Sequence, residues 1–343
     1  MSNSRVQYID NLRLLACFLV VLTHSAMPTV ESNGFYAVLI SILSAPSSEL
    51  FLTISGSLLL PTRISMKEFY VKRFTRLAFP VLFWSLVIVL ISYFTGQIDL
   101  ERLLIKIMYI PLTPVTGVYW FIYTICGLYL LAPVISPWVI SSTKREFKFI
   151  LLLWFITLLL PFVNFLVPEY FKYDVEGNYY FILNYLGGFL GYMLLGVYLR
   201  KYPLIFNRKK ALFLVALLSA AAILPILYCY LYNREMLNDI NNNLSSFSCL
   251  AVISIFIFFQ NFEVDNLHLK KIVHSVSHYS FGIYLIHIIV VRDIIWRIYE
   301  PFRGTPLNPM IETPLIALVS IVVCYFIVKL ISKLPYSKHI IGV

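Results

Sequence analysis

Apolar residues along this 343-residue chain fall in long runs separated by short polar connections. Ten runs approach the roughly 20 residues that a helix needs to cross the hydrocarbon of a bilayer. They cover residues 9–29, 36–60, 74–95, 117–136, 148–167, 179–199, 211–231, 245–261, 279–299 and 312–334. The pattern predicts an all-α polytopic membrane protein of ten helices, forming a single transmembrane domain over residues 1–343. The apolar segment after Asp10 has no small-residue cleavage site, so it reads as a retained first helix rather than a removed signal. The outer connections near 96–116 and 168–178 are long enough for a lid and too short for a domain. Internal repeats at a fixed period are not apparent.

Composition supports lipid as the solvent. Hydrophobic residues make up 60% of the chain and charged residues 13%, about half the charged share of a soluble domain. Mean hydropathy is +0.82. The net charge of +10 does not point to nucleic acid, because the cations are scattered through short loops rather than gathered on a polar domain. They also give an orientation. With the N-terminus in the cytoplasm, the inner segments carry Arg5, Arg13, Arg63, Lys67, Lys72, Arg73, Arg76, Lys144, Arg145, Lys148, Arg200, Lys201, Arg208, Lys209, Lys210, Lys270, Lys271, Lys329, Lys333 and Lys338. The outer loops hold only Arg102, Lys106, Lys172, Arg234 and Arg303. Twenty against five is the bias expected of cytoplasmic loops. An even span count then puts both termini in the cytoplasm. The five cysteines all lie in apolar runs without a CxxC pair, so neither a disulfide framework nor a metal site is expected.

Ionisable groups at membrane depth are costly and mark functional candidates. The first span holds Asp10, Arg13 and His24. Asp10 and Arg13 stand three residues apart and can pair. Arg13 and His24, eleven residues apart, are about three turns apart on one side, separated by roughly 16 Å along the axis. One helix side thus joins an inner cation to a titratable outer group. Taken singly, Arg13 also reads as an interfacial anchor and His24 as a residue bonded to a neighbouring carbonyl. Glu49 lies near the middle of the second span, followed by the small residues Ser55, Gly56 and Ser57. A helix–helix clamp is the structural alternative for Glu49, and close packing explains the small residues. Arg73 and Arg76 share a helix face and suit bidentate contact with phosphate; singly, each is also ordinary inner-loop charge. The fourth span opens with Tyr119, Trp120, Phe121, Ile122 and Tyr123, which fits an outer aromatic belt. In the ninth span Tyr284 and His287 share a face, and Asp293 and Arg297 form an i, i+4 pair.

Together these residues resemble the acyltransferase 3 family of membrane acyltransferases over nearly the whole chain. The resemblance rests on Asp10-Asn-Leu-Arg13 with His24, on Glu49-Leu-Phe ahead of Ser55-Gly56, and on Arg73-x-x-Arg76. It rests further on Tyr119-Trp120-Phe121 with Leu128-Tyr129-Leu130-Leu131 and Pro133, and on Ser280-Phe-Gly-Ile-Tyr284-Leu-Ile-His287. One departure is Ser57, where the family usually has an aromatic residue. The resemblance implies a bacterial cytoplasmic-membrane O-acyltransferase, most often an O-acetyltransferase. Such an enzyme takes its acyl group from cytoplasmic acetyl-CoA and delivers it to a hydroxyl of an envelope polysaccharide or lipid-linked glycan.

On that expectation Arg13, Arg73 and Arg76 hold the coenzyme A phosphates, and His24 is the general base with Glu49 behind it. Trp120 and Tyr123 meet the sugar, Tyr284 and His287 polarise the thioester carbonyl or complete the pocket, and Asp10, Ser55 and Gly56 support the site. Direct transfer and an acyl-histidine intermediate both fit, as do acetyl, succinyl and longer donors. The rival class is a secondary transporter or glycan exporter in which His24, Glu49 and His287 form a proton relay. The cationic inner cluster and the absence of evident paired broken helices weigh against it. Oligomeric state is not legible, because lipid-facing and partner-facing surfaces are alike in composition. The charge pattern is checked by fusing a cytoplasm-specific reporter to each terminus and into the 96–116 loop. The termini are expected to report and the loop to stay silent; the reverse would invert the topology.

Overall fold

The structure, a computed structural model, describes residues 7–26, 34–159, 186–234, 237, 241–263, 265–302 and 307–342. All regular structure among them is helical. The helices are α1 (Gln7–Ser25), α2 (Phe35–Ser44), α3 (Ser47–Leu59), α4 (Met66–Phe94), α5 (Leu100–Tyr109) and α6 (Trp120–Ser141), the last entered through a 3₁₀ turn at Gly117–Tyr119. Then come α7 (Lys144–Thr157), α8 (Leu190–Lys201), α9 (Arg208–Tyr232), α10 (Ser246–Asn261) and α11 (Leu267–Ile289). A π-helical stretch (Val290–Trp296) continues α11, and α12 (Pro309–Ile331) and the short α13 (Lys338–Ile341) follow.

Five stretches are long and apolar enough to cross a membrane: Phe35–Leu59, Met66–Phe94, Gly117–Ser141, Arg208–Tyr232 and Pro309–Ile331. They match five of the ten expected spans. α10, at 16 residues, is apolar but shorter. Charge dilutes α1, which holds Asp10 and Arg13, and α11, whose first turns hold Lys270 and Lys271. The expected spans 148–167 and 179–199 lie partly outside the described residues, as does the 168–178 loop. The expected second span is not one helix: α2 ends at Ser44 and α3 restarts after Pro46. Proline has no N–H to continue the ladder. Glu49, near the middle of the Phe35–Leu59 stretch, therefore lies in the first turn of α3, where the positive end of the helix dipole favours a carboxylate. The expected 96–116 loop contains α5, with Leu103 buried and Leu100, Leu104, Ile105 and Met108 exposed. That distribution suits a helix lying in a membrane interface.

The chain divides into two compact units. The first comprises residues 1–19, 30–60 and 137–273. Its tightest contact is the crossing of α3 and α8. A Cβ on Gly56 would lie 2.0 Å from the Met193 carbonyl oxygen, and one on Gly196 would lie 1.8 Å from the Thr53 carbonyl oxygen. Only hydrogen at both positions permits this approach, as at small-residue membrane helix crossings. Arg200 at the end of α8 donates to the Ser57 carbonyl at 2.6 Å, which ties the two helices at one end. Nearby, α9 and α10 meet through Ser219 and Ser254 hydroxyls 2.8 Å apart. Val38 and Ile42 of α2 pack with Ile226 and Cys229 of α9. At the head of α7, Thr143 and Glu146 form a reciprocal cap. The hydrogen bonds that Glu146 accepts from Thr143 hold its carboxyl below the usual carboxylate range.

The second unit comprises residues 20–29, 61–136 and 274–343. Its C-terminal segment is inserted rather than trailing. Arg76 Nε donates to the Gly342 carbonyl at 2.8 Å, and Trp84 Nε1 donates to that of Ile340 at 2.9 Å. Gly342 has φ +68°, and a Cβ there would strike Phe281 at 2.6 Å. A glycine is needed on both counts. Helices α11 and α12 are joined by Ser275 with Tyr325 at 2.7 Å and by Tyr279 with Ser332 at 3.2 Å.

Filling the α3–α8 crossing should force the helices apart. Gly196→Val is expected to cost about 1–3 kcal/mol or more, read as a lower thermal midpoint of the detergent-solubilised protein. Gly117→Ala, with nothing within 4 Å of its Cβ, serves as the control. Equal midpoints for the two variants would contradict the crossing.

Candidate active site

The second unit collects the residues at the C-terminal ends of α1 and α11. The His24 and His287 ring centroids are 5.3 Å apart, with the planes tilted by 42°. His287 has no exposure. Its Nδ1 is hydrogen-bonded to the Tyr284 carbonyl one turn back, while its Nε2 is buried and meets no hydrogen-bond partner among the described residues. The same is true of His24 Nδ1.

Behind the imidazoles stands a pair of tyrosines from α11 and the 3₁₀ turn before α6. Tyr119 donates its hydroxyl to the Leu285 carbonyl at 2.6 Å, and Tyr284 donates to the Val118 carbonyl. The two rings stack at 6.3 Å, and Tyr284 also contacts Phe121 and His287. Each tyrosine thus bonds to the residue beside the other. This exchange fixes α11 against the start of α6 and holds His287 in place. The Tyr284 hydroxyl, expected to polarise a thioester carbonyl or to complete the pocket, donates to backbone in this structure.

The other site residues of this unit spread along α4 and α6. Arg73 and Arg76 share a face of α4. The Arg73 guanidinium carbon lies 5.7 Å from the Phe69 ring centroid, and its Nε is buried without a partner among the described residues. Arg76 gives its Nε to Gly342 and is otherwise exposed. Tyr123 donates its hydroxyl to the carbonyls of Ile110 and Thr113, which pins the turn after α5. Trp120 is half-buried against Phe121.

The remaining expected residues belong to the first unit. Arg13 is half-buried and Asp10 buried on α1. Glu49 is fully buried, and neither carboxylate oxygen meets a hydrogen-bond partner among the described residues. Ser55 is half-buried beside Gly56, whose role is the helix crossing. Ser57 turns its hydroxyl back to the Ile54 carbonyl at 2.7 Å. No three His, Cys, Asp or Glu side chains converge as a metal would require among the described residues.

The acyltransferase domain model of the acyltransferase 3 family matches residues 6–329, nearly the whole chain. The chain belongs to the acyltransferase 3 family. No curated protein and no solved structure matches it. Membership, together with the apolar helices, makes the chain a membrane acyltransferase.

Two features of this acyltransferase escaped the sequence reading. Tyr119 looked like one member of an aromatic belt, yet it is fully buried and bonded across to α11. Only its reciprocity with Tyr284 sets it apart, and that is invisible along the chain. Just past the C-terminal end of α11, the expected Asp293–Arg297 pair is replaced by Arg292–Asp293. There Nε and Nη2 donate to the two carboxylate oxygens at 3.0 and 2.9 Å. The π-helical stretch beginning at Val290 changes the angular step per residue, so the i, i+4 rule of an α-helix no longer selects partners. Beyond it, Tyr299 donates to the buried Glu312 of α12 at 3.0 Å.

Removing either tyrosine hydroxyl leaves a carbonyl without its donor. Tyr119→Phe and Tyr284→Phe are each expected to lower stability by about 0.5–1.5 kcal/mol, seen as a reduced thermal midpoint in detergent. Unchanged midpoints for both would remove the exchange from the account of the site.

Proposed function

We propose that this acyltransferase moves an acyl group, most simply acetyl, from cytoplasmic acetyl-CoA to a hydroxyl of an envelope polysaccharide or lipid-linked glycan. In this reading the chain sits in the bacterial cytoplasmic membrane in ten spans, with both termini inside. The observation that carries the reading is the unsatisfied His24–His287 pair. Two titratable imidazoles in contact inside an apolar helical body are costly as structure alone, and a base for a reacting hydroxyl accounts for them.

The chemistry then follows. His24 removes the proton from the acceptor hydroxyl, and the oxygen attacks the thioester carbonyl carbon. The carbon–sulfur bond breaks, and the proton held on His24 goes to the departing thiolate. The products are an O-acylated glycan and coenzyme A. General-base assistance of this kind is worth about 10²–10⁴ in rate. Arg73 and Arg76 supply the cationic inner end of α4, and Arg13 supplies that of α1, for the phosphates of an anionic donor. Fork-shaped guanidinium groups suit phosphate oxygens. Arg73 has a donor in hand, since its buried Nε is unpartnered among the described residues. Glu49, at the positive end of α3, supplies a buried carboxyl group. The half-buried Trp120 offers a ring face to a sugar. No observation favours the transport reading.

Purified protein carrying His24→Ala is expected to lose at least about 100-fold in acetyl-CoA turnover; wild-type turnover would take His24 out of the chemistry. Replacing both Arg73 and Arg76 with alanine should raise the coenzyme A dissociation constant about tenfold or more, the scale of charge-assisted hydrogen bonds. An unchanged constant would leave those arginines with topology alone.

A further inference from the structure

The His24–His287 contact contains more than two unsatisfied atoms, because the tautomer of one ring can be read. A carbonyl oxygen only accepts. The hydrogen bond between His287 Nδ1 and the Tyr284 carbonyl therefore places the proton of neutral His287 on Nδ1 and leaves a lone pair on Nε2. That lone pair is buried and unpartnered among the described residues. A bare acceptor cannot polarise a thioester carbonyl, which needs a donor. His287 must receive a hydrogen instead.

The ring in contact with it carries the complementary atom. His24 Nδ1 is likewise buried and without a partner among the described residues. The centroid separation of 5.3 Å is that of two imidazoles joined edge to edge by one N–H···N bond of about 3 Å. The proposed bond requires the two nitrogens to face each other across this gap. We propose that His287 is the positioning residue of the catalytic base: its Nε2 accepts a hydrogen bond from His24 Nδ1–H and so leaves His24 Nε2 as the free base. The chain of donors runs from His24 Nδ1 to His287 Nε2, and from His287 Nδ1 to the Tyr284 carbonyl. The Tyr119–Tyr284 exchange holds its far end.

This arrangement follows the general logic of a catalytic histidine whose second nitrogen is oriented by a neighbouring acceptor, with an imidazole where a carboxylate would otherwise stand. A neutral acceptor needs no charge in an apolar body, and the cost of a buried carboxylate is avoided. The role first expected of Glu49 falls to His287, and both histidines lie within one compact unit.

The inference rests on His24 being the base, so its test separates the two claims. His287→Leu removes the acceptor and is expected to lower kcat about 100-fold or more, with the coenzyme A dissociation constant unchanged. His287→Gln, whose amide oxygen can replace Nε2, is expected to stay within about tenfold of wild type. Wild-type kcat in the Leu variant, or equal loss in both variants, overturns the positioning role. Loss on His24→Ala with no loss on His287→Leu sinks this inference alone; activity of His24→Ala sinks the reading beneath it. Nitrogen-15 spectra of histidine-labelled wild-type protein need no turnover and no variant that folds poorly. They should show His24 protonated on Nδ1 and bare on Nε2, and the opposite tautomer overturns the pairing.

Discussion

A polar atom inside an apolar helical body has no water to fall back on, and the helix ladder already uses nearly every backbone donor and acceptor. Side chains that reach the interior must therefore find one another, or take a second bond from a carbonyl. Most of this chain obeys that constraint locally. Ser25, Ser44, Thr53, Ser57 and Ser136 all return their hydroxyls to carbonyls three or four residues back. The informative residues are those that do otherwise. Tyr119 and Tyr284 bond between elements, and that exchange fixes the place of His287.

From this fixed point the site acquires its chemistry. His287 is held through its backbone-facing nitrogen, so its other nitrogen has a defined character. His24 reaches the same place from the last two turns of α1. Neither ring is satisfied among the described residues, whereas the surrounding tyrosines are. The contrast separates scaffold from site better than burial does, since Tyr119 and His287 are equally hidden from solvent. Arg73 and Arg76 show the same division on a smaller scale. One is bonded to the C-terminal segment, and the other keeps a buried Nε unused.

Small residues have a complementary role. Gly56 stood in the sequence as a place where a helix or a ligand chain could come close. In the structure it meets Met193, and Gly196 answers it against Thr53. The crossing is thus used by α8, and Ser57 beyond it lends its carbonyl to Arg200. A bulky residue at Ser57 would have to share space where its amide already lies 3.0 Å from a Cβ built on Gly196. The departure from the usual family residue is consistent with this tight crossing.

Composition, periodicity and motif order specify a helical membrane protein and its family. Apolar runs of membrane length and lopsided loop charge are one-dimensional signals, so periodicity and counting recover them. The sequence singled out His24, His287, Tyr284, Glu49 and the Arg73–Arg76 face as candidates for the same reason: ionisable groups stand out against an apolar background. Four features depend on packing and have no signature along the chain. They are the break at Pro46 that puts Glu49 in a first turn, the π-helical stretch that re-pairs Asp293, the exchange between Tyr119 and Tyr284, and the contact of two histidines 263 positions apart. Each depends on which face a helix turns to a neighbour. Facing is set by packing between segments remote in sequence, and no local pattern encodes it.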